Sequence, residues 1–261
     1  MPEAAGLYYE EHGRADGTPL ILSAGLGGSG NYWSPNLDAL ARYHRVILYD
    51  HRGTGRSDRA LPDHVTVAQM GEDLLALIDA LAVERAHIVG HAAGGVAALA
   101  LALKAPERIA RMVLVNAWSR GDPHFARCFD TRLALLRDSG PRAYLHAQPI
   151  FLYPATWISA NADRLDEEEE VHLAHFAGAD AYEKRIAALR AFDVDARLAS
   201  VAVPTLVIGA ADDMLVPITC SQRLAEGIPG AALATMAWGG HACNVTDPAP
   251  FNRLVLDFLR S

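Results

Sequence analysis

The chain has 261 residues, a formal net charge of −8 and a hydrophobic fraction of 51%. That length holds one large α/β domain with an insertion, and the apolar content can build a sizeable core. The acidic balance speaks against nucleic acid and anionic membrane as partners, but not against a small anionic substrate, which needs only one or two local cations. Leu7 to Gly13 alternates weakly and ends in a turn, predicting an antiparallel opening strand. Pro19 to Ser23 is a short apolar run of the kind buried in parallel sheets. It leads into Ala24-Gly25-Leu26-Gly27-Gly28-Ser29-Gly30. Glycines there let backbone N–H groups face a ligand, as an oxyanion hole or an anion nest. No Gly-Lys-Ser/Thr follows, so it is not a phosphate loop. Leu37 to Leu40 reads as helix. Arg45 to Asp50 predicts a second buried strand, ending in the polar loop Asp50-His51-Arg52-Gly53-Thr54-Gly55-Arg56-Ser57. This loop is read as a structural tie through arginine and aspartate. Met70, Leu74, Leu77, Ile78 and Leu81 recur at helical spacing.

His87-Ile88-Val89-Gly90-His91-Ala92-Ala93-Gly94-Gly95 then reads as a strand end, a glycine-edged sharp turn and a helix start. Gly90 and Gly94 lack Cβ, which permits a tight turn and a close helix–strand approach. The frame is that of a G-x-S-x-G nucleophile elbow with Ala92 in the serine's place. A methyl group cannot attack. A small-residue helix follows, stopped by Pro106, and Met112 to Asn116 predicts another strand. From about Ser119 to about Asp195 there are helices but no strand. Cys128, Leu133 and Leu136 mark one helix ending near Gly140-Pro141, and Val171 to Phe176 and Ile186 to Leu189 mark others. Pro204 to Ile208 and Ala231 to Met236 resume the sheet, and Phe251 to Leu259 closes the chain as a helix.

Short apolar strands alternating with helices imply an α/β fold, a mostly parallel sheet with helices on both faces. The expected organisation is a first core segment (1–118), a helical lid over the strand ends (119–195) and a second core segment (196–261). The cysteines Cys128, Cys220 and Cys243 form no C-x-x-C pair, which points to a reducing compartment and no zinc ribbon. No basic stretch followed by an apolar run opens the chain, and no segment approaches a membrane span. The expectation is a cytoplasmic protein without metal or cofactor.

Two acids, Asp212 and Asp213, lie just past the strand Thr205 to Ile208, on the sheet edge where such folds bind ligands. His241 follows two glycines after the last strand and precedes the final helix. With the elbow, the chain order is nucleophile position, acid, histidine, which is that of the α/β-hydrolases. The chain resembles that fold family over nearly its full length. The resemblance is carried by Ala24-Gly25 with Trp33, Asp50-x-Arg52-Gly53-x-Gly55-x-Ser57, the elbow, Asp213 with Pro217, and Gly240-His241 through Asp247-Pro248-Pro250-Phe251. More narrowly it is similar to the RutD family of bacterial pyrimidine utilisation. The segments that carry this are Ala24 to Trp33, Gly90-His91-Ala92, Gln148-Pro149-Ile150-Phe151-Leu152-Tyr153-Pro154, and Gly239 to Pro248. The family is assigned to hydrolysis of carbamate, or of the aminoacrylate released in uracil breakdown. The resemblance implies a native alanine at the elbow; an engineered serine replacement is the other origin the sequence leaves open. Two departures from the general pattern stand out. The histidine usual before the oxyanion-loop glycine is Ala24. The acid is ambiguous: counting back from Pro217 selects Asp213, counting forward from Gly209 selects Asp212. Asp213 is preferred because it puts Ala210 at the usual glycine.

The roles expected are His241 as base, Asp213 (or Asp212) holding its tautomer, and the backbone N–H groups of Leu26 and Ala93 as oxyanion hole. The methyl of Ala92 leaves room for a water that His241 could activate directly. Asn31, Tyr32, Trp118, Arg120 and Tyr153 are candidates to line the pocket of a small anionic substrate; for each, packing or surface placement is an equal reading. Two other functions fit the same residues: a cofactor-independent oxygenase using the His-Asp pair, and a catalytically inactive ligand-binding pseudoenzyme. A homodimer is among the expectations, as open-sheet hydrolases form varied dimers.

Overall fold

The computed structural model describes residues 2–260. Its strands are β1 (Glu3–Ala4), β2 (Leu7–Gly13), β3 (Thr18–Ser23), β4 (His44–Tyr49), β5 (Ala86–His91), β6 (Ile109–Val115), β7 (Thr205–Ala210) and β8 (Ala232–Met236). They form one sheet in the order β1-β2-β4-β3-β5-β6-β7-β8. β1 and β2 pair antiparallel, and every pairing from β4 to β8 is parallel. Every residue of β5 and β7 is buried, as strands covered on both faces require.

The helices are α1 (Ser34–Ala41), α2 (Val67–Ala80), α3 (Ala93–Lys104), α4 (Pro123–Leu152), α5 (Ala155–Ala160), α6 (Ala162–Ala174), α7 (Ala179–Ala191), α8 (Ile218–Gly227), α9 (Cys243–Thr246) and α10 (Pro248–Arg260). Strand alternation divides the core. Ile21 and Ile88 face α2 and α3, while Leu20, Leu22 and Val89 face α1 and α10. A reciprocal cap between Thr66 and Gln69 starts α2. None of the helices among the described residues is long and apolar enough to cross a membrane.

Between β6 and β7 the chain makes only helices α4 to α7 and a short 3-10 segment (Asp195–Ser200), with one isolated bridge, Arg120 to Asp193. α4 breaks in the middle, where Gly140 adopts φ +85° and ψ −179°. That conformation is open to glycine and strained for other residues. The two arms of α4 therefore fold back toward the sheet edge. The strand read as ending at Asn116 stops one residue sooner. Asn116 leaves it at φ +46°, a left-handed turn that asparagine tolerates.

Candidate active site

At the end of β5 the backbone turns at Ala92, with φ +48° and ψ −108°. Such a conformation costs an L-residue on the order of 1–3 kcal/mol and persists only where its surroundings enforce it. Here they do. The Ala92 N–H donates to the Val115 carbonyl at 2.9 Å, and its carbonyl accepts from Val96 N at 3.0 Å. Gly94 makes the turn possible, because a Cβ there would lie 2.2 Å from the Ser23 carbonyl oxygen. The glycine loop after β3 lies directly against the elbow. A Cβ at Gly25 would sit 2.9 Å from His91 Nδ1 and 3.9 Å from the Ala92 methyl. Leu26 follows Gly25, and Ala93 opens α3, where the first N–H groups of a helix have no partner within it.

His241 and Asp213 meet on the same edge. His241 Nδ1 donates to Asp213 Oδ2 at 2.8 Å, with both side chains shut off from solvent. The other carboxylate oxygen accepts from Leu215 N (2.7 Å) and Val216 N (2.8 Å), so three hydrogen bonds fix the acid. The proton on Nδ1 leaves Nε2 as the basic nitrogen of His241. Asp212 serves the same loop differently. Its oxygens accept from Gly239 N (3.2 Å) and Gly240 N (2.8 Å), pinning the glycine turn before His241. Gly240 sits at φ +67°, and a Cβ there would press within 2.9 Å of the Leu152 carbonyl oxygen. The geometry thus pairs Asp213, not Asp212, with His241.

Comparison with known proteins places this chain in a lineage. Residues 18–248 match the alpha/beta hydrolase fold family. A Caulobacter sp. (strain K31) protein named "Putative carbamate hydrolase RutD" is 58% identical over 97% of this chain and 96% of its own length. The protein of the same name from Variovorax paradoxus (strain S110) is 55% identical, again over 97% of this chain and 96% of its own. The chain belongs to the RutD family of α/β-hydrolases. Among solved structures, a hydrolase from Pseudomonas aeruginosa PA01 superposes with a TM-score of 0.85 at 34% identity, covering 98% of this chain and 94% of that one.

The residues proposed from sequence to line the pocket of this RutD-family chain divide into two groups. The Tyr32 ring stacks on His91 at 4.9 Å, and its hydroxyl donates to Asn244 Oδ1 at 2.7 Å. Burial pushes its phenol well up, reinforced by the nearby Tyr153, so it stays a neutral donor. Tyr153 packs on Trp157, and burial pushes its phenol up to about 12. Trp118 is buried in the cluster that contains Ala92, and its indole N–H has no protein acceptor. Asn31 and Arg120 lie elsewhere. Asn31 is exposed and its amide oxygen faces Arg56 at 3.5 Å. Arg120 is half-exposed and is neutralised by Asp195 at 3.7 Å, at the root of the insertion.

Three further residues shape the site without having been singled out from sequence. His91 donates from Nε2 to the His241 carbonyl (2.8 Å); burial, then the neighbouring His241, hold its imidazole far below its ordinary range, so it is neutral. Asn116 donates to the same carbonyl (2.7 Å) and accepts from Ala210 N (2.9 Å), tying the ends of β6 and β7 to the histidine loop. Arg185, from α7, is buried and donates to the carbonyls of Leu26 (3.1 Å) and Arg52 (3.0 Å) and to His51 Nδ1 (3.0 Å). His91 had a signal, since it lies inside the elbow motif. Arg185 had none, because an arginine beside Lys184 on a helix reads as surface. Among the described residues no three His, Cys, Asp or Glu side chains gather as a metal ion would need.

Proposed function

We propose that this chain hydrolyses a small, intrinsically labile anionic C–N compound, carbamate or aminoacrylate, with water activated by His241 and no covalent intermediate. The observation that carries this reading is a buried, tautomer-fixed His241–Asp213 pair on the sheet edge that also holds the strained Ala92 elbow. Nε2 of His241 takes a proton from water as the water oxygen bonds to the substrate carbon. It then returns a proton to the departing nitrogen. The C–N bond breaks, ammonia leaves, and the carbon fragment leaves as bicarbonate from carbamate or as a 3-oxo acid from the imine tautomer of aminoacrylate. The N–H groups of Leu26 and Ala93 receive the charge that develops on the carbon's substituent in the transition state.

Magnitudes support the choice of a labile substrate. Triad enzymes stripped of their nucleophile retain roughly 10³–10⁴-fold acceleration from the oxyanion hole and binding. That is about 4–5.5 kcal/mol of barrier. It is too little for an unactivated amide or ester and enough for a compound that already decays unaided. The names of the relatives, which carry carbamate hydrolysis, agree with this.

The test is stopped-flow decay of carbamate and of aminoacrylate at fixed pH, with native protein and with His241→Ala. Acceleration of either compound by the native protein alone is the expected result. If neither decays faster than in buffer, the hydrolytic reading falls. In Ala92→Ser, the new hydroxyl is expected to label with a fluorophosphonate; a folded variant that stays unlabelled would remove the elbow from the site.

A further inference from the structure

Arg132 is buried, with a relative exposure of 3%. None of the ion pairs found among the described residues includes it. Its side chain donates to two neutral acceptors, the Tyr144 hydroxyl (2.8 Å) and Gln148 Oε1 (3.1 Å), and its Nε has no protein acceptor at all. Its guanidinium lies against the rings of Tyr144 and Phe151, 4.8 and 5.6 Å from their centroids. Aromatic faces ease a buried cation, but by less than its desolvation costs. A guanidinium held this way is short of one anion.

The two arms of α4 fix where that anion would sit. On the first arm His124 Nε2 donates to the Met214 carbonyl at 2.7 Å, and Cys128 Sγ reaches the same oxygen at 3.6 Å, one residue from Asp213. On the second arm the Leu152 carbonyl accepts from Ala242 N at 3.0 Å, one residue from His241. Arg132 is one helical turn behind Cys128, and Gln148 is one turn behind Leu152, a rise of about 6 Å in each case. The guanidinium therefore bridges the arms one turn back from the His241–Asp213 pair. The Cys128 thiol, pushed up by burial, feels both the cation of Arg132 and the carboxylate of Asp213. A run of rings from Phe129 through Phe125 to Trp118 leads from Arg132 to another buried donor without an acceptor, the Trp118 indole N–H.

We propose that the Arg132 guanidinium, between the arms of α4 and one turn back from the His241–Asp213 pair, is a subsite for a substrate carboxylate that is separate from the reacting carbon, as in aminoacrylate. The subsite deepens the hydrolytic reading above, on which its role in turnover rests, but its binding chemistry is separately measurable. A guanidinium matches a carboxylate with two parallel N–H donors, which an ammonium cannot reproduce.

The probe is acetate, with acetamide as its neutral isostere, titrated at constant ionic strength while the ¹⁵N–H signal of the Trp118 indole is followed by NMR. In native protein acetate is expected to shift that signal saturably and acetamide to bind at least tenfold more weakly. Arg132→Gln is expected to lose tenfold or more in acetate affinity, Arg132→Lys to fall between, and His241→Ala to bind as the native chain does. Equal binding of acetate and acetamide by the native protein overturns the subsite, a result that depends on no variant folding. So does undiminished acetate affinity in folded Arg132→Gln. Selective acetate binding with no acceleration of carbamate or aminoacrylate decay would instead overturn the hydrolytic reading and leave the subsite standing.

Discussion

The sheet edge and the helical insertion contribute to the same site by different means. At the edge, the candidate groups are held largely by hydrogen bonds with backbone at one end, beside the side-chain bond from His241 to Asp213. The Ala92 turn is closed by Val115, Asp213 is caught by two N–H groups, and the His241 carbonyl is gripped by His91 and Asn116. The insertion works through long side chains that reach in from helices. Arg185 donates to the Leu26 carbonyl and Arg132 spans two arms of α4. Backbone fixing needs particular residues at particular turns, whereas a reaching arginine needs only a helix at the right distance. The first kind of site tolerates little change, and the second can be retuned by moving one side chain.

The largest expected effect breaks the edge chemically. Asp213→Asn presents an N–H to His241 Nδ1, selects the other tautomer and removes the base, for a loss of about 10²–10⁴-fold in rate. Asp212→Asn keeps an acceptor for the glycine turn and is expected to lose about tenfold. Stopped-flow decay of the labile substrate on both variants checks this, and equal losses would merge two acids that the geometry separates. The next contrast is in stability. Gly94→Ala forces a methyl against the Ser23 carbonyl and is expected to cost about 3 kcal/mol or more. Gly140→Ala, in the insertion, meets nothing within 4 Å and should cost only about 1–3 kcal/mol, from a φ and ψ that favour glycine. Urea unfolding of the pair measures the difference, and similar costs would erase the contrast between the regions.

Arg185→Met is expected to lower kcat about 10–100-fold with little change in KM, since it loosens the Leu26 peptide rather than a substrate contact. Partial recovery in Arg185→Lys would mark a positioning role; a KM effect alone would contradict it. The smallest effect is on pH dependence. Burial pushes His87 down to about 4, and holds His51 and His91 far below their ordinary range. The unfolded chain takes up these protons near 6.5 and the folded chain does not. Stability is therefore full above about pH 6.5 and is lost as pH falls, for His87 down to about pH 4. The slope is up to about 1.4 kcal/mol per pH unit for each histidine. Urea midpoints measured from pH 7 to pH 4 should fall, and His87→Gln should make the fall shallower.

Much of the edge was legible in the sequence because turns need glycine. Gly90 and Gly94 frame the elbow, and Gly239-Gly240 frame His241. The alternation of apolar strands with helices placed them all on one edge. Counting favoured Asp213 over Asp212 only through the match that puts Ala210 at the usual glycine, because both acids follow β7 and their roles are set by which groups converge on each carboxylate. The insertion was legible as helices and little more. Arg120 follows Trp118 at the sheet edge and looked available to a substrate, yet Asp195 neutralises it. Arg132 and Arg185 look like solvent-facing arginines until the elements that bury them are in place. A helix's own sequence records its apolar stripe, but not what will cover a charged residue.

The Arg185–Leu26 hydrogen bond joins residues 159 positions apart. Contacts of such long sequence separation require a large loop closure and are costly to form early. The strands and the elbow can pair around their own core while α7 is still undocked. The peptide proposed to receive the transition-state charge gains its support only when the insertion settles. The hold on this peptide therefore belongs to the insertion and not to the sheet, and a molecule with α7 undocked would keep its strand pairing while the Leu26 carbonyl lost its buried donor.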